Sequence, residues 1–379
     1  MPLSAEIQQF IRNFGNTWSP DVNSACEHFF EDQHVEQERN HTGPEVEYIK
    51  GVKYGPDERN RLDIYNLVED TRESASLPVV VYFHGGGFVA GDNDITPHMH
   101  GNIARFFASY GMIGVLATYL LLPEARFPEG ALDVSRAFRW LAKHIGRYGG
   151  DPRSIFLIGQ SAGGAHLAMA LWSGVLGHKE IESPDIIVPR GIVLQSMPFW
   201  YDLSQERRRN NMQQYYGTTS EEEILSRSPG AIFRHASDDT EHYDVFGIPV
   251  YVTVGELDSE EIVKGNMMFV NDSMQLVKRL PLLEVLEGHN HISYALSIGL
   301  EGDEVGPRIV RFIRNLMGMA DNIPEPDQPG NRDLLRTNWF PLVRSEPVLF
   351  LVIVLLVAFR ADSINRHEDG PARPVMRCR

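Results

Sequence analysis

The sequence predicts an α/β fold, in which a mostly parallel, twisted β-sheet is covered by helices on both faces. Short apolar runs with strand character alternate with amphipathic segments of helical spacing over residues 44–320. Strands that are apolar throughout, rather than at every second residue, are typical of parallel sheets buried on both faces. The chain has 379 residues, of which 42% are hydrophobic, so it is long enough to bury such a core.

Eight segments have the composition of strands. Each is a short run rich in Val, Ile, Leu or aromatic residues that ends near Gly, Ser or a charged residue. They begin at Val46, Arg61, Leu77, Gly111, Ser154, Gly191, Ile248 and Leu282. The clearest helical patterns lie between strands and begin at Gly130, Ala162 and Ser259.

Two further segments have helical character. Residues 1–43 form a predicted N-terminal helical cap segment, because apolar residues recur there at helical spacing. Residues 197–246 are helix-like and contain no strand pattern. An insertion that follows the carboxyl end of a strand in an open α/β sheet lies over the site end of that sheet. We therefore predict that residues 197–246 form a helical cap on the domain of residues 44–320.

Residues 321–379 are predicted to be a linker followed by a tail. The stretch from Asp321 is rich in Pro, Gly and charged residues, which is typical of the end of a domain. The apolar run 347–359 is shorter than the roughly 20 residues that a membrane-spanning helix needs. A tail that docks on the domain or stays exposed is the favoured interpretation, and a membrane anchor is the alternative.

Charge and cysteine content narrow the function classes. A net charge of −16 excludes nucleic acid as an expected partner, because nucleic-acid binding needs a basic surface. The two cysteines, Cys26 and Cys378, provide neither a disulfide framework nor metal-ligand spacing. The first residues lack the basic and apolar regions of a signal peptide. We therefore predict a cytoplasmic protein, with membrane association through residues 347–359 as the alternative.

A Gly-x-Ser-x-Gly motif lies between a predicted strand and a predicted helix. It consists of Gly159, Gln160, Ser161, Ala162 and Gly163. In a nucleophile elbow, the Ser occupies a strained turn that exposes its hydroxyl at the top of the sheet, and the glycines leave room for the strand and helix to cross. The strand and helix context supports this interpretation over a chance match.

A second motif, His84-Gly85-Gly86-Gly87, directly follows the strand that begins at Leu77. Glycines allow close approach of a substrate, and the N–H groups of Gly86 and Gly87, with that of Ala162, are candidates to bind an oxyanion. A phosphate-binding loop is disfavoured because neither Lys-Ser/Thr nor Gly-x-Gly-x-x-Gly spacing follows.

A serine nucleophile needs a base and an acid that orients the base. Asp258 and Glu256 follow one late strand, and His289 and His291 follow the next. The resulting order, Ser then acid then His, is that of a nucleophile-elbow hydrolase. Asp258 is favoured because it lies further past its strand, whereas the spacing leaves both histidines as candidates.

No metal or cofactor is predicted. The stretch Gly91–His100 contains Asp and His residues that could in principle bind a metal, but their spacing matches no established ligand pattern. A reaction of Ser, His and Asp needs no such group.

These motifs, together with "ATYLLLPEARFPEGALDVSRAFRWL", "VGELDSEE" and "GHNHIS", resemble the hormone-sensitive-lipase-like esterases of the α/β-hydrolase superfamily, including their kynurenine-formamidase and fungal carboxylesterase relatives. The resemblance covers about residues 45–315. It implies an α/β-hydrolase fold, no cofactor, and a catalytic triad of Ser161, Asp258 and His291. It also implies an oxyanion loop at Gly85, Gly86 and Gly87.

The second His of "GHNHIS" matches the family pattern, which favours His291 over His289. The family usually has Tyr-Arg-Leu where this chain has Tyr119-Leu120-Leu121, a difference expected to affect local packing rather than chemistry.

The resulting hypothesis is a serine carboxylic ester hydrolase that acts through an acyl-enzyme. Its substrate would carry a small or medium apolar acyl group, or be an ester or lactone of secondary metabolism. An arylformamidase-type amidase and a non-catalytic ligand-binding module are the alternatives. The expected partner is a small-molecule ester, with a homodimer suggested by analogy alone. Aromatic residues are candidates for a substrate pocket, or equally for the core of the cap. These are Phe88, Phe199, Trp200 and Tyr215.

Overall fold

The eight segments predicted as strands form one sheet in the computed structural model, which describes residues 3–40, 44–67, 76–176, 187–236 and 246–319. In chain order the strands are β1 Val46–Lys53, β2 Arg61–Leu67, β3 Leu77–Phe83, β4 Ile113–Ala117, β5 Gly150–Gln160, β6 Gly191–Gln195, β7 Val250–Leu257 and β8 Leu282–Asn290. The prediction of a mostly parallel α/β sheet is confirmed.

The strand order across the sheet is β1-β2-β4-β3-β5-β6-β7-β8. β1 and β2 pair antiparallel, as do β2 and β4, and the other neighbours are parallel. Since β4 and β5 lie on opposite sides of β3, the chain changes its direction of progression across the sheet there. Ligands bind in open α/β sheets at the crevice beyond the carboxyl ends of strands at such a switch point. Phe83, the last residue of β3, pairs with Gly159 near the end of β5.

Eleven helices accompany the sheet in the described ranges. They are α1 Ala5–Arg12, α2 Pro20–Asn40, α3 Gly101–Ser109, α4 Glu129–His144, α5 Ala162–Trp172, α6 Glu206–Tyr216, α7 Glu221–Ser226, α8 Pro229–Ala236, α9 Glu260–Asp272, α10 Ser293–Leu296 and α11 Val305–Met317. A short 3₁₀ turn follows α4 at Ile145–Tyr148, and a π-helical turn follows α9 at Ser273–Val277.

The side chains of β3 alternate between two apolar cores. Val79, Val81 and Phe83 face the core that contains α4 and α5. Val80 and Tyr82 face the core that contains α3 and α11. Successive residues of a strand point to opposite faces, so an apolar strand such as β3 can be buried on both sides. This double burial explains why the sequence pattern is continuous rather than alternating.

A third core joins the N-terminal helices to the site end of the domain. Ile11 of α1 and both Cys26 and Phe30 of α2 are buried together with Met99 and Leu296. The apolar spacing predicted a helix over the region of α1. The same region also contains the 21-residue helix α2, whose buried positions recur at every fourth residue.

The stretch 197–246 contains α6, α7 and α8 in its described part, in agreement with its helical pattern. No helix within the described ranges combines the length and apolar character that crossing a bilayer requires. The apolar run 347–359 lies outside those ranges.

Leu120 stands where the pattern of the family that the sequence resembles places Arg. Its backbone N–H donates to Asp133 Oδ2 at 3.0 Å. The guanidinium of Arg136 lies 2.7 Å from the other oxygen of Asp133, whose side chain is fully buried. Arg136 therefore supplies the cation that this buried carboxylate needs.

Candidate active site

Ser161 lies in a tight turn between β5 and α5, with φ of +49° and ψ of −116°. A side chain at Gly159 would place its Cβ 2.5 Å from Gly164 Cα, and one at Gly163 would lie 2.3 Å from the carbonyl oxygen of Phe83. These contacts are too close for any residue but Gly. The local sequence therefore forces the strained turn and leaves the hydroxyl of Ser161 at the carboxyl edge of the sheet.

A hydrogen-bonded chain connects Ser161, His291 and Asp258. Ser161 Oγ lies 2.9 Å from His291 Nε2, and His291 Nδ1 lies 2.6 Å from Asp258 Oδ1. A carboxylate only accepts, so the Nδ1–H of His291 donates to Asp258. In the neutral imidazole, Nε2 is then free to accept the proton of Ser161.

The competing candidates have other partners. Glu256 is exposed and accepts from the N–H of Gly288 at 2.7 Å. His289 is buried, with Nδ1 3.1 Å from Ser293 Oγ, and burial lowers its pKa to about 4. Of the acids and histidines considered on these two loops, Asp258 and His291 are the pair within hydrogen-bonding distance of each other.

Asp258 is held by more than its contact with His291. Its Oδ2 accepts from Ser196 Oγ at 2.5 Å and from the backbone N–H of Gly255 at 2.7 Å. The side chain of Asp258 is fully buried, and Ser196 has a positive φ of +45° directly after β6. Sequence reasoning missed Ser196, although its position at the end of the strand next to β5 was a usable signal.

In the glycine loop after β3, one backbone N–H group is hydrogen-bonded within the protein and two are unpaired among the described residues. The N–H of Gly85 donates to Gln160 Oε1 at 2.9 Å, so it is already occupied. The N–H groups of Gly86 and Gly87 have no acceptor within the described residues. That of Ala162 is also unpaired within α5, because it belongs to the first turn of that helix. Three of the four predicted oxyanion donors therefore remain available.

Gln160 links three parts of the site and was not assigned a role from the sequence. Its Oε1 also accepts from Tyr82 Oη at 3.3 Å, and its Nε2 donates to the carbonyl oxygen of His291 at 3.4 Å. One buried amide thus holds the glycine loop, the elbow and the histidine loop in register.

A cavity of about 90 Å³ opens beside Ser161 and His291. Its far side is built by the N-terminal segment, which the sequence placed only as a helical cap. The Trp18 ring lies edge-on to the His291 ring, with 5.9 Å between centroids, and the guanidinium of Arg207 lies 5.5 Å from the Trp18 centroid. The lining includes Trp18, Asn23, Glu27, Gly85, Gly86, Ile95, Met99, His100, Gln160, Ile292 and Leu296.

The four aromatic residues proposed as a pocket do not line this cavity. Phe88 stacks on Tyr215 with centroids 4.4 Å apart, and both are buried. Phe199 is buried against Phe269 at 4.1 Å. Trp200 lies beside Phe199 at a separate small cavity. The core interpretation of Phe88, Phe199 and Tyr215 therefore fits their positions, because these rings bury one another rather than surround Ser161.

The acidic and histidine stretch after the glycine loop makes structural contacts. Asp92 forms ion pairs with Arg59 and Arg61, and the ring of His98 lies between Glu31 and Glu38 of α2. Within the part of the chain that the structure describes, no cluster of His, Cys, Asp and Glu is arranged to hold a metal ion.

Comparison with known proteins gives the same assignment as the fold. The family described as alpha/beta hydrolase fold matches residues 80–266. Carboxylesterase NlhH of Mycobacterium tuberculosis is 42% identical over 90 residues, which cover 24% of this chain and 27% of that protein. Probable carboxylesterase 13 of Arabidopsis thaliana is 30% identical over 166 residues, covering 40% of this chain and 49% of that protein. The chain thus spans less than half the length of these curated relatives.

The structure of esterase B from Lactobacillus rhamnosis superposes with a TM-score of 0.59 at 17% identity, and covers 86% of this chain and 100% of that one. At this identity the likeness concerns the fold alone. On its sheet order, its Ser-bearing turn and these matches, the chain has the α/β-hydrolase fold, and its residues 80–266 are similar to the family of hormone-sensitive-lipase-like esterases.

Proposed function

We propose that the protein is a serine carboxylesterase that works through an acyl-enzyme intermediate. The observation that carries the proposal is the continuous hydrogen-bonded chain from Ser161 Oγ through His291 to the buried carboxylate of Asp258, which opens onto a cavity. A nucleophile, a base within hydrogen-bonding distance and an acid that orients the base are the parts that acyl transfer needs.

The reaction begins when Ser161 Oγ attacks the ester carbonyl carbon and its proton moves to His291 Nε2. Asp258 keeps Nδ1 protonated and stabilises the imidazolium. The carbonyl oxygen becomes an oxyanion that accepts from the N–H groups of Gly86, Gly87 and Ala162. Collapse of this intermediate breaks the ester bond, and Nε2 gives its proton to the leaving alcohol. Water then enters, loses a proton to Nε2, and releases the carboxylic acid by the same route.

A small or medium apolar acyl ester, or an ester or lactone of secondary metabolism, fits the cavity best. A volume of about 90 Å³ is small, and Ile95, Met99 and Leu296 make part of its wall apolar. An arylformamidase uses the same groups on an amide, so only the leaving group distinguishes it. A ligand-binding module would not need the three hydrogen-bonded groups in reacting order.

The test uses a fluorophosphonate probe, which labels activated serines. We expect the probe to label the wild type and not Ser161→Ala. Ser173 is an exposed serine at the end of α5, and the control variant Ser173→Ala should be labelled like the wild type. Hydrolysis of p-nitrophenyl butyrate should fall by at least about 1000-fold in Ser161→Ala. Equal labelling of Ser161→Ala and wild type would refute the proposal. N-formylkynurenine, assayed in parallel, separates amidase from esterase preference.

The assembly and location of the protein are also proposals. We propose a homodimer in the cytoplasm, with contact to membranes through the run 347–359 as the alternative. Light scattering after gel filtration tests the dimer, and a monomer at micromolar concentration contradicts it. Deletion of residues 321–379 should move the protein from a membrane pellet to the supernatant if the run is an anchor, and should leave esterase activity in place.

A further inference from the structure

Glu27 brings a carboxylate to the cavity at Ser161. It lies on α2, and three ionisable residues line that cavity: Glu27, His100 and His291. His100 is buried, donates its Nδ1–H to the carbonyl oxygen of Asp92 at 2.7 Å, and has a pKa lowered by burial to about 4, so it is neutral near pH 7. His291 must be neutral to act as a base. Glu27 therefore supplies the one carboxyl group in the described lining.

One oxygen of this carboxylate is satisfied within the protein and the other is not. Oε1 accepts from the side-chain amide of Asn23. No partner for Oε2 is present among the described residues. Burial raises the pKa of Glu27, although the hydrogen bond from Asn23 lowers it in part. A half-buried carboxylate with a free oxygen is poorly hydrated, and a cation or donor placed beside it would restore the lost interaction.

Trp18 adds an aromatic surface to the same cavity. Cations are attracted to the face of an indole ring, and the guanidinium of Arg207 already lies 5.5 Å from the Trp18 centroid. Arg207 does not line the cavity. The positive charge of Arg207 partly opposes the negative charge of Glu27. We therefore expect a selectivity for cationic over neutral esters of about tenfold, which corresponds to about 1.4 kcal/mol.

We propose that Glu27 determines substrate charge, so that the site prefers esters carrying a cationic ammonium group to neutral esters of the same shape, and disfavours esters carrying a carboxylate. The inference rests on the proposed esterase function. The carboxylate acts through space and through contact with the substrate, and it takes no part in the proton transfers of Ser161 and His291.

The experiment measures kcat/KM for three phenyl esters whose acyl groups differ in charge. These are phenyl esters of 4-(trimethylammonio)butyrate and of its neutral isostere 5,5-dimethylhexanoate, and the monophenyl ester of adipate. Choline butyrate and 3,3-dimethylbutyl butyrate repeat the comparison with the charge on the alcohol side. Because burial raises the pKa of Glu27, assays are run at pH 8, several units above the ordinary carboxyl value of about 4.3.

The variants are Glu27→Gln, Glu27→Asp and Glu36→Gln. Glu36 is an exposed carboxylate on the same helix that does not line the cavity, so its variant controls for net charge. In the wild type and in Glu36→Gln we expect the cationic ester of at least one pair to exceed its neutral isostere about tenfold, and the adipate ester to be the poorest substrate. Glu27→Gln should bring all ratios close to one, and Glu27→Asp should keep their order.

Equal ratios in wild type and Glu27→Gln would overturn the inference while leaving the esterase function intact, because the neutral ester would still be hydrolysed. Failure of the wild type to hydrolyse any ester would instead refute the proposed function. A Glu27→Gln protein that does not fold leaves the comparison of wild type, Glu27→Asp and Glu36→Gln: a wild type with no preference for cationic esters overturns the inference by itself.

Discussion

Two substitutions of Ser196 should differ in their effect on stability but should reduce activity equally. Its backbone has φ of +45°, a region that costs a residue other than Gly about 1–2 kcal/mol. Its hydroxyl lies 2.5 Å from Oδ2 of Asp258, which is fully buried. A hydrogen bond to a charged group contributes about 1.5–3 kcal/mol. The strained backbone is therefore offset by the bond that it allows Ser196 to make.

Two variants remove that bond in different ways. Ser196→Ala loses the hydroxyl and keeps the strain, so we expect it to be about 2 kcal/mol less stable than wild type. Ser196→Gly loses the same hydroxyl but adopts positive φ without strain. Relief of the strain should stabilise the Gly variant by about 1–2 kcal/mol relative to the Ala variant. The greater freedom of Gly in the unfolded chain costs about 0.5–1 kcal/mol, so the Gly variant should be about 0.5–1 kcal/mol more stable than the Ala variant.

Both variants should lose activity to the same extent. Without Ser196, the carboxylate of Asp258 keeps the backbone donor of Gly255 but can rotate away from His291. We expect kcat for p-nitrophenyl butyrate to fall about tenfold, with KM little changed, because Ser196 does not line the cavity. Urea unfolding measures the free energies. A Gly variant with wild-type kcat, or one less stable than the Ala variant, would refute the reasoning.

Two other predictions concern the oxyanion loop and acid stability. Gly86→Ala should lower kcat/KM at least about 100-fold while the circular dichroism spectrum stays unchanged. The backbone φ of Gly86 is +125° and the new Cβ would lie 1.9 Å from the carbonyl oxygen of Ala90, so the loop must shift and displace its oxyanion donors. A loss of less than threefold contradicts this role. Acid should unfold the protein, because burial lowers the pKa of four histidines well below the unfolded value of about 6.5. These pKa values are about 3 for His84 and His166 and about 4 for His100 and His289. The stabilisation by these neutral histidines is present above pH 6.5 and is lost as pH falls towards 4, because the unfolded chain then binds more protons. Asp303 has the opposite effect, since burial raises its pKa to about 6 and the folded protein therefore binds one proton more at this group. The free energy of unfolding from urea titrations should therefore fall by about 4 kcal/mol per pH unit near pH 5, and a flat profile between pH 6 and 5 would contradict the assignment.

Features built from consecutive residues were predictable from the sequence. The eight strands were located because an apolar run bounded by turn residues is a local property. The turn at Ser161 was located for the same reason, since strand, glycines and helix follow one another without interruption. The glycine loop after β3 was equally visible. Its first N–H is nonetheless taken by Gln160, a contact between residues 75 positions apart.

Local pattern left two interpretations open for the aromatic cluster, a substrate pocket and the core of the cap. Phe199 and Tyr215 belong to the predicted cap segment, and both side chains are buried in the apolar core that contains α4 and α5. The wall of the cavity at Ser161 instead includes Trp18 and Glu27, which come from a segment whose spacing indicated only a helix. Apolar spacing shows that a helix has a buried face, but it does not show what that face meets.

The sequence by itself determined the fold class, the nucleophile turn and the set of acids and histidines from which the site is drawn, because each depends on backbone preferences over a few neighbouring residues. The sequence favoured Asp258 over Glu256, and the family pattern favoured His291 over His289. Only the tertiary structure showed Asp258, His291 and Ser161 joined in one hydrogen-bonded chain, and only it added Ser196 and Glu27. His291 lies 130 residues from Ser161 in the chain. Two residues that lie two positions apart on one loop have nearly the same separation along the sequence from such a partner. The direction of each side chain is set by the packing of strands that are not neighbours in sequence.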